Sequence, residues 1–66
     1  MRSFYIYSGF ERSNALDVVY SMAEAKQQAI KLSKQFGTVT VWDALGGLRI
    51  EVNPNAPEQH RVKVTK

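Results

Sequence analysis

One segment near the middle of the sequence has the repeat of an amphipathic helix. Small and apolar residues recur every three or four positions from Met22 to Phe36, a spacing that places side chains on one face of an α-helix. The run S-M-A-E at 21–24 has the form of a capping box, which begins helices, and Gly37 is suited to ending one. We therefore predict one helix from Met22 to Phe36.

The same repeat predicts which side chains of this helix face the core. The predicted core stripe comprises Met22, Ala25, Ala29, Leu32 and Phe36, flanked by Ala23, Ile30 and Ser33. A second interpretation begins the helix at Asn14, because apolar residues between positions 15 and 22 also have helical spacing. The β-branched pair Val18–Val19 and the separate cap at Ser21 favour a short strand over 17–20 instead.

The segments around the helix alternate in the manner of strands. Alternation covers 3–8, 39–42 and 48–52, and the residues Asp43 to Gly47 between the last two predict a tight hairpin. Positions 53–57 contain two prolines and predict a turn. The tail from His60 to Lys66 also alternates, which fits either an edge strand or an arm that becomes a strand only against a partner.

This order of elements predicts an α+β fold in one domain spanning residues 1–66. We expect a short antiparallel sheet of order β-β-α-β-β, with a fifth, C-terminal edge strand and one amphipathic helix on one face. A chain of 66 residues without cysteine has a thin core and no disulfide framework, which suits a reducing cytoplasm. Because no apolar run approaches membrane-spanning length, we expect a soluble cytoplasmic protein with no membrane partner.

Alternation also divides the predicted sheet into two faces. The face expected under the helix carries Phe4, Ile6, Val39, Val41, Leu48, Ile50 and Val52. The opposite face is expected to carry Tyr5, Tyr7, Thr38, Thr40, Trp42, Arg49 and Glu51, with Arg61 and Lys63 at its edge. Because tyrosine, tryptophan and arginine are enriched where proteins bind partners, we predict a partner-binding surface formed by Tyr5, Tyr7, Trp42, Arg49, Arg61 and Lys63.

Several explanations of this aromatic face remain open. Aromatic residues stabilise thin sheets by pairing across strands, and the same rings fit a protein partner, a homodimer contact or a stacking platform for single-stranded nucleic acid. A net charge of +3 permits a nucleic-acid partner without requiring one. A secondary basic surface is expected on the outer side of the helix, either as a solvated face or as a contact for an acidic partner or phosphates, from Lys26, Lys31 and Lys34.

The sequence contains no pattern typical of catalysis. His60 is the only histidine and there is no cysteine, so the usual zinc ligands are too few. The serines lack a nucleophile-elbow context, and Gly46–Gly47 is explained by the hairpin. We therefore predict a non-enzymatic protein with no catalytic residue, metal or cofactor.

Parts of the sequence resemble small α+β domains of phage and prophage proteins, including anti-CRISPR inhibitors. The resemblance runs from Phe4 to Val52 and rests on the element order and on the segments S-M-A-E-A-K-Q-Q-A, T-V-T-V-W-D and L-R-I-E-V. The matching residues are Ser21, Ala25, Lys26, Ala29, Gly47 and Leu48. The resemblance implies a phage-encoded inhibitor that binds a host protein or ribonucleoprotein and blocks a defence complex of the CRISPR-Cas type.

Overall fold

A computed structural model describes residues 2–65 and contains one α-helix and a five-stranded antiparallel sheet. Its elements are β1 (Phe4–Ser8), β2 (Asp17–Val19), α1 (Met22–Phe36), β3 (Val39–Asp43), β4 (Leu48–Val52), a short 3₁₀ helix (Glu58–His60) and β5 (Val62–Val64). The predicted α+β class is confirmed. The segment at 17–19 is a strand rather than the start of a longer helix, and the C-terminal segment forms the fifth strand.

The strands lie in the order β2-β1-β3-β4-β5, with antiparallel pairing throughout. Because β1 pairs with both β2 and β3, the helix crosses over β1 to connect the strands on either side of it. This arrangement is a split β-α-β unit extended by two further strands. The helix packs on β1, β3 and β4, so the two edge strands receive least cover from it.

Both ends of α1 have the caps that the sequence predicts. The Ser21 side chain accepts a hydrogen bond from the Glu24 backbone amide at 3.1 Å. At the other end, Gly37 has a φ of 86° and its amide donates to the Ser33 carbonyl at 3.0 Å. A positive φ is strained for residues with a Cβ, so glycine ends the helix at little cost.

Replacing the N-cap tests how much this hydrogen bond stabilises the domain. We expect Ser21→Ala to lower the free energy of unfolding by about 1 kcal/mol, because one amide in the first helical turn loses its partner. Urea denaturation followed by circular dichroism measures the change. Ser21→Asp is the matched control, since aspartate also caps helices and should keep most of the stability.

The core lies between α1 and one sheet face. Its buried apolar residues are Phe4, Ile6, Val19, Ala25, Ala29, Val39, Val41, Ile50 and Val52. Ala25, Ala29 and Ser33 form the buried line of the helix, and the small size of these residues lets the helix approach the sheet closely. The prediction that Phe36 faces the core is wrong: it is the last helical residue, and 46% of it remains exposed where the chain turns towards β3. The flanking Ala23 is exposed as well.

A β-bulge in β4 changes the face on which two residues lie. Val41 pairs with Ile50 but Trp42 pairs with Leu48, so Arg49 is an extra residue on β4. Residues directly opposite each other share a face, and Leu48 therefore lies beside Trp42, away from the helix. The prediction that Leu48 belongs to the core face is wrong for this reason.

Candidate interaction surface on the open sheet face

The sheet face that α1 does not cover carries two rows of side chains, and we call it the open face. The first row crosses four strands and is apolar and aromatic, consisting of Val18, Tyr5, Trp42 and Leu48. The second row lies beside it and is more polar, consisting of Tyr7, Thr40, Glu51 and Lys63. Tyr5, Tyr7 and Trp42 are half-buried, so each residue keeps some exposed surface.

A buried hydroxyl fixes the position of the Trp42 ring. The Trp42 Nε1–H donates to Thr40 Oγ1 at 2.9 Å, and this hydroxyl donates to the Gly9 carbonyl at 2.5 Å. The Gly9 amide in turn donates to the Thr38 carbonyl at 2.7 Å. Thr40 has no exposed surface even though it lies on the open face. A hydrogen bond to a buried and itself hydrogen-bonded hydroxyl therefore restricts rotation of the indole.

Arg12 extends this aromatic surface from the loop between β1 and β2. Its guanidinium carbon lies 4.4 Å from the centroid of the Trp42 ring, which is a cation–π distance. The Arg12 side chain also lies close to the β3–β4 turn. If Gly46 carried a Cβ atom, this atom would lie 3.5 Å from Arg12 Nη1. Arg12 is itself exposed. The guanidinium therefore adds a cation over the Trp42 ring of the apolar row.

The charges on the open face are mixed. Glu51 and Lys63 are cross-strand partners and carry opposite charges in the second row. Arg12 adds one positive charge beside the first row. The open face thus combines an apolar row, a cation over Trp42 and a pair of oppositely charged side chains alongside.

The bulge removes Arg49 from the surface on which the sequence predicted it. Arg49 Nη1 lies 3.8 Å from Asp43 Oδ2, and Asp43 is the cross-strand partner of the core residue Phe4. Together these residues line a pocket at the end of the sheet. The buried Nε of Arg49 has no hydrogen-bond partner within residues 2–65. The prediction that Arg49 lies beside Trp42 on the open face is therefore wrong.

The other predicted basic residues lie in three places. Lys63 is exposed on the open face. Arg61 is exposed just before β5, where its Nε donates to the Ala56 carbonyl at 3.1 Å and its side chain lines a groove with Ile30 and Lys34 of α1. The prediction that Arg61 lies at the edge of the open face is wrong, because the 3₁₀ helix before β5 directs this side chain towards α1. Lys26, Lys31 and Lys34 are exposed on the outer side of α1 as expected, and none of them forms an ion pair with any residue in 2–65.

Sequence reasoning missed three members of this surface. Arg12 lies in an irregular loop, where no periodicity indicates its direction. Val18 was recognised as part of a strand, but its neighbours were known only once β2 was paired with Tyr5 of β1. Leu48 was assigned to the wrong face because the bulge is not visible in the alternating run L-R-I-E-V.

The described residues show neither a metal site nor a membrane span. Within 2–65 there is no group of three histidine, aspartate or glutamate side chains placed to hold a metal ion. The helix in this part of the chain is too short and too polar to cross a bilayer.

Comparisons of the chain with protein-family models, with curated proteins and with solved structures found no match.

Proposed function

We propose that this protein is a non-enzymatic binding module that docks on a partner protein through its open face. The row Val18–Tyr5–Trp42–Leu48 is the observation that carries the proposal, because it is an apolar strip that α1 does not cover and whose members all keep some exposed surface. Aromatic residues in such a strip supply large contact area with few rotatable bonds. Trp42 is also held in place before binding, which reduces the entropy lost on association.

The resemblance to anti-CRISPR inhibitors extends this proposal to a partner class. A small domain that covers a surface of a host defence complex needs no catalytic group, only a preformed contact area. We propose a CRISPR-Cas type complex as the target and its inhibition by occupancy as the mechanism. The direct assay is cleavage of a labelled target DNA by purified effector complexes, with and without added protein; full cleavage by every complex tested at saturating protein contradicts this part of the proposal.

Substituting the centre of the apolar row tests the docking surface itself. We expect Tyr5→Ala to weaken partner binding at least about tenfold, the size typical of an interface anchor. Partners are recovered from a host lysate on immobilised protein and identified by mass spectrometry, and the affinity of each is then measured by calorimetry. Phe36→Ala is the matched control, because this ring is 46% exposed but belongs to the helix. Equal loss with both variants, or none with Tyr5→Ala, contradicts the proposal.

Single-stranded nucleic acid is the second candidate partner. The stacking of Arg12 on Trp42 and the exposure of Lys63 favour it, since rings beside cations bind bases and phosphates. Glu51 in the second row disfavours it, because a carboxylate repels the phosphate backbone. Binding of a fluorescent oligothymidine with an affinity that falls steeply as salt is raised supports this candidate. A homodimer is a separate alternative, and a mass of twice 7.5 kDa in light scattering supports it.

A further inference from the structure

The two edges of the sheet differ in how their backbone groups are occupied. At the β2 edge, the Val18 amide donates to the carboxylate of Asp17 at 2.8 Å, so a side chain of the same strand occupies this donor. At the β5 edge, Asn53 donates to the Arg61 carbonyl and Thr65 to the Arg49 carbonyl, both at 2.7 Å. The β5 bonds show which of its residues face β4.

Hydrogen bonding alternates along an antiparallel pair, and this alternation defines the free groups of β5. Arg61 and Thr65 form backbone hydrogen bonds with β4. Lys63 lies between them and opposite Glu51, so its amide and carbonyl also face β4. The amides and carbonyls of Val62 and Val64 therefore point away from the sheet. Edge strands with such outward groups are templates for a further strand. β5 has no proline and no register shift against β4, and its one charged side chain, Lys63, disfavours a basic or identical strand but favours an acidic one.

The side chains of β5 define what a further strand should contain. Val62, Lys63 and Val64 pair on the inner side with Val52, Glu51 and Ile50, which is an apolar–acidic–apolar sequence. A strand on the outer side meets the same three side chains, because directly opposite residues share a face. Val64 is 45% exposed and lacks an apolar neighbour on that side of the strand. The complementary segment therefore alternates apolar and acidic residues.

The surface around β5 also carries more basic than acidic side chains, which favours an acidic segment. A groove of about 410 Å³ lies on the helix side between α1 and the segment before β5, lined by Ile30, Val52 and Val62 with Lys34 and Arg61 at its rim. Glu58 also lines it, so its rim carries one acidic side chain against two basic ones. A second copy of this chain fits poorly, since self-pairing of antiparallel β5 strands centred on Lys63 places two lysines directly opposite each other.

We propose that β5 is a second binding site, which adds an extended segment of a partner protein with alternating apolar and acidic residues. The segment pairs with the backbone of Val62 and Val64, places its apolar side chains beside these valines and its acidic side chain beside Lys63. This site shares Lys63 with the open face but is distinct from the apolar row, because its hydrogen bonds lie in the plane of the sheet at the β5 edge.

A short peptide of alternating valine and glutamate, blocked at both ends, is the probe. Nuclear magnetic resonance follows exchange of the backbone amides with deuterated water. We expect exchange at Val62 and Val64 to slow about tenfold when about nine-tenths of the protein is bound, because only the free fraction then exchanges. The same peptide with lysine in place of glutamate should bind about tenfold more weakly, since it faces Lys63 and Arg61 with like charges.

Two changes remove backbone hydrogen bonds between β5 and the peptide and leave the hydrogen bonds between β5 and β4 intact. Val64→Pro deletes one outward donor, a substitution that edge strands tolerate, and should weaken binding about fivefold. Because a proline in a strand can also lower stability, the second change is made in the peptide: its valines are N-methylated, and the methylated peptide is tested on the unaltered protein. Unchanged exchange at β5 with saturating peptide, or equal affinity for the methylated peptide, overturns the proposal. A Tyr5→Ala variant that still binds the peptide shows that the two surfaces are separate.

Discussion

Ile6→Ala is expected to lower the free energy of unfolding by about 2–5 kcal/mol, the largest effect of any substitution considered for this protein. Ile6 has no exposed surface and lies in β1, between β2 and β3 and under the helix. A chain of 66 residues has a total stability of only about 3–10 kcal/mol. The cavity left by the missing carbons therefore removes a large fraction of the stability of the domain.

Urea denaturation followed by the fluorescence of Trp42, the single tryptophan, measures this change. Val64→Ala is the matched control, because Val64 is also a β-branched residue in a strand but is 45% exposed. It should alter the stability by less than about 1 kcal/mol. If the two substitutions have similar effects, the core does not lie between β1 and the helix.

Thr40→Val is expected to cost about 1–3 kcal/mol although valine has nearly the same shape as threonine. The substitution removes the acceptor of the Trp42 indole and the donor to the Gly9 carbonyl, and the side chain has no exposed surface. It should also release the Trp42 ring, which would shift its fluorescence emission. Partner binding through the open face is expected to weaken together with this shift.

Two controls separate the hydroxyl from the general effect of the substitution. Thr65→Val places the same change at an exposed position and should leave the stability within about 0.5 kcal/mol. Trp42→Phe removes the indole donor while Thr40 keeps its bond to Gly9. Native stability and unshifted emission in Thr40→Val would mean that packing alone positions the indole.

The sequence predicted the elements of this fold well because their signals are local. The N-cap at Ser21, the glycine at 37 and the repeat between them are contained within a few turns of chain, and the observed helix has the predicted bounds. The strands also follow from the alternation of their own residues. These features depend on side-chain preferences that act over three or four positions, so no knowledge of distant contacts was needed.

The candidate site was predicted only in part. Tyr5, Tyr7, Trp42 and Lys63 lie on the open face as the alternation indicates. Arg49 does not, because alternation assigns faces correctly only while the strands remain in register, and the bulge changes the register after Val41. Arg12 was missed because it approaches Trp42 through a loop whose direction depends on the Gly9–Thr38 and Gly9–Thr40 bonds.

By itself, the sequence determined that one helix lies against a short antiparallel sheet and that three aromatic side chains point away from the helix. The tertiary structure decided the strand order and the position of β5 at an edge of the sheet. It also decided the bulge, which places Leu48 rather than Arg49 beside Trp42. The physical reason is that each of these depends on pairing between segments far apart in the chain. Such pairing is fixed by the packing of the whole core and by turn geometry, which no single stretch of sequence contains.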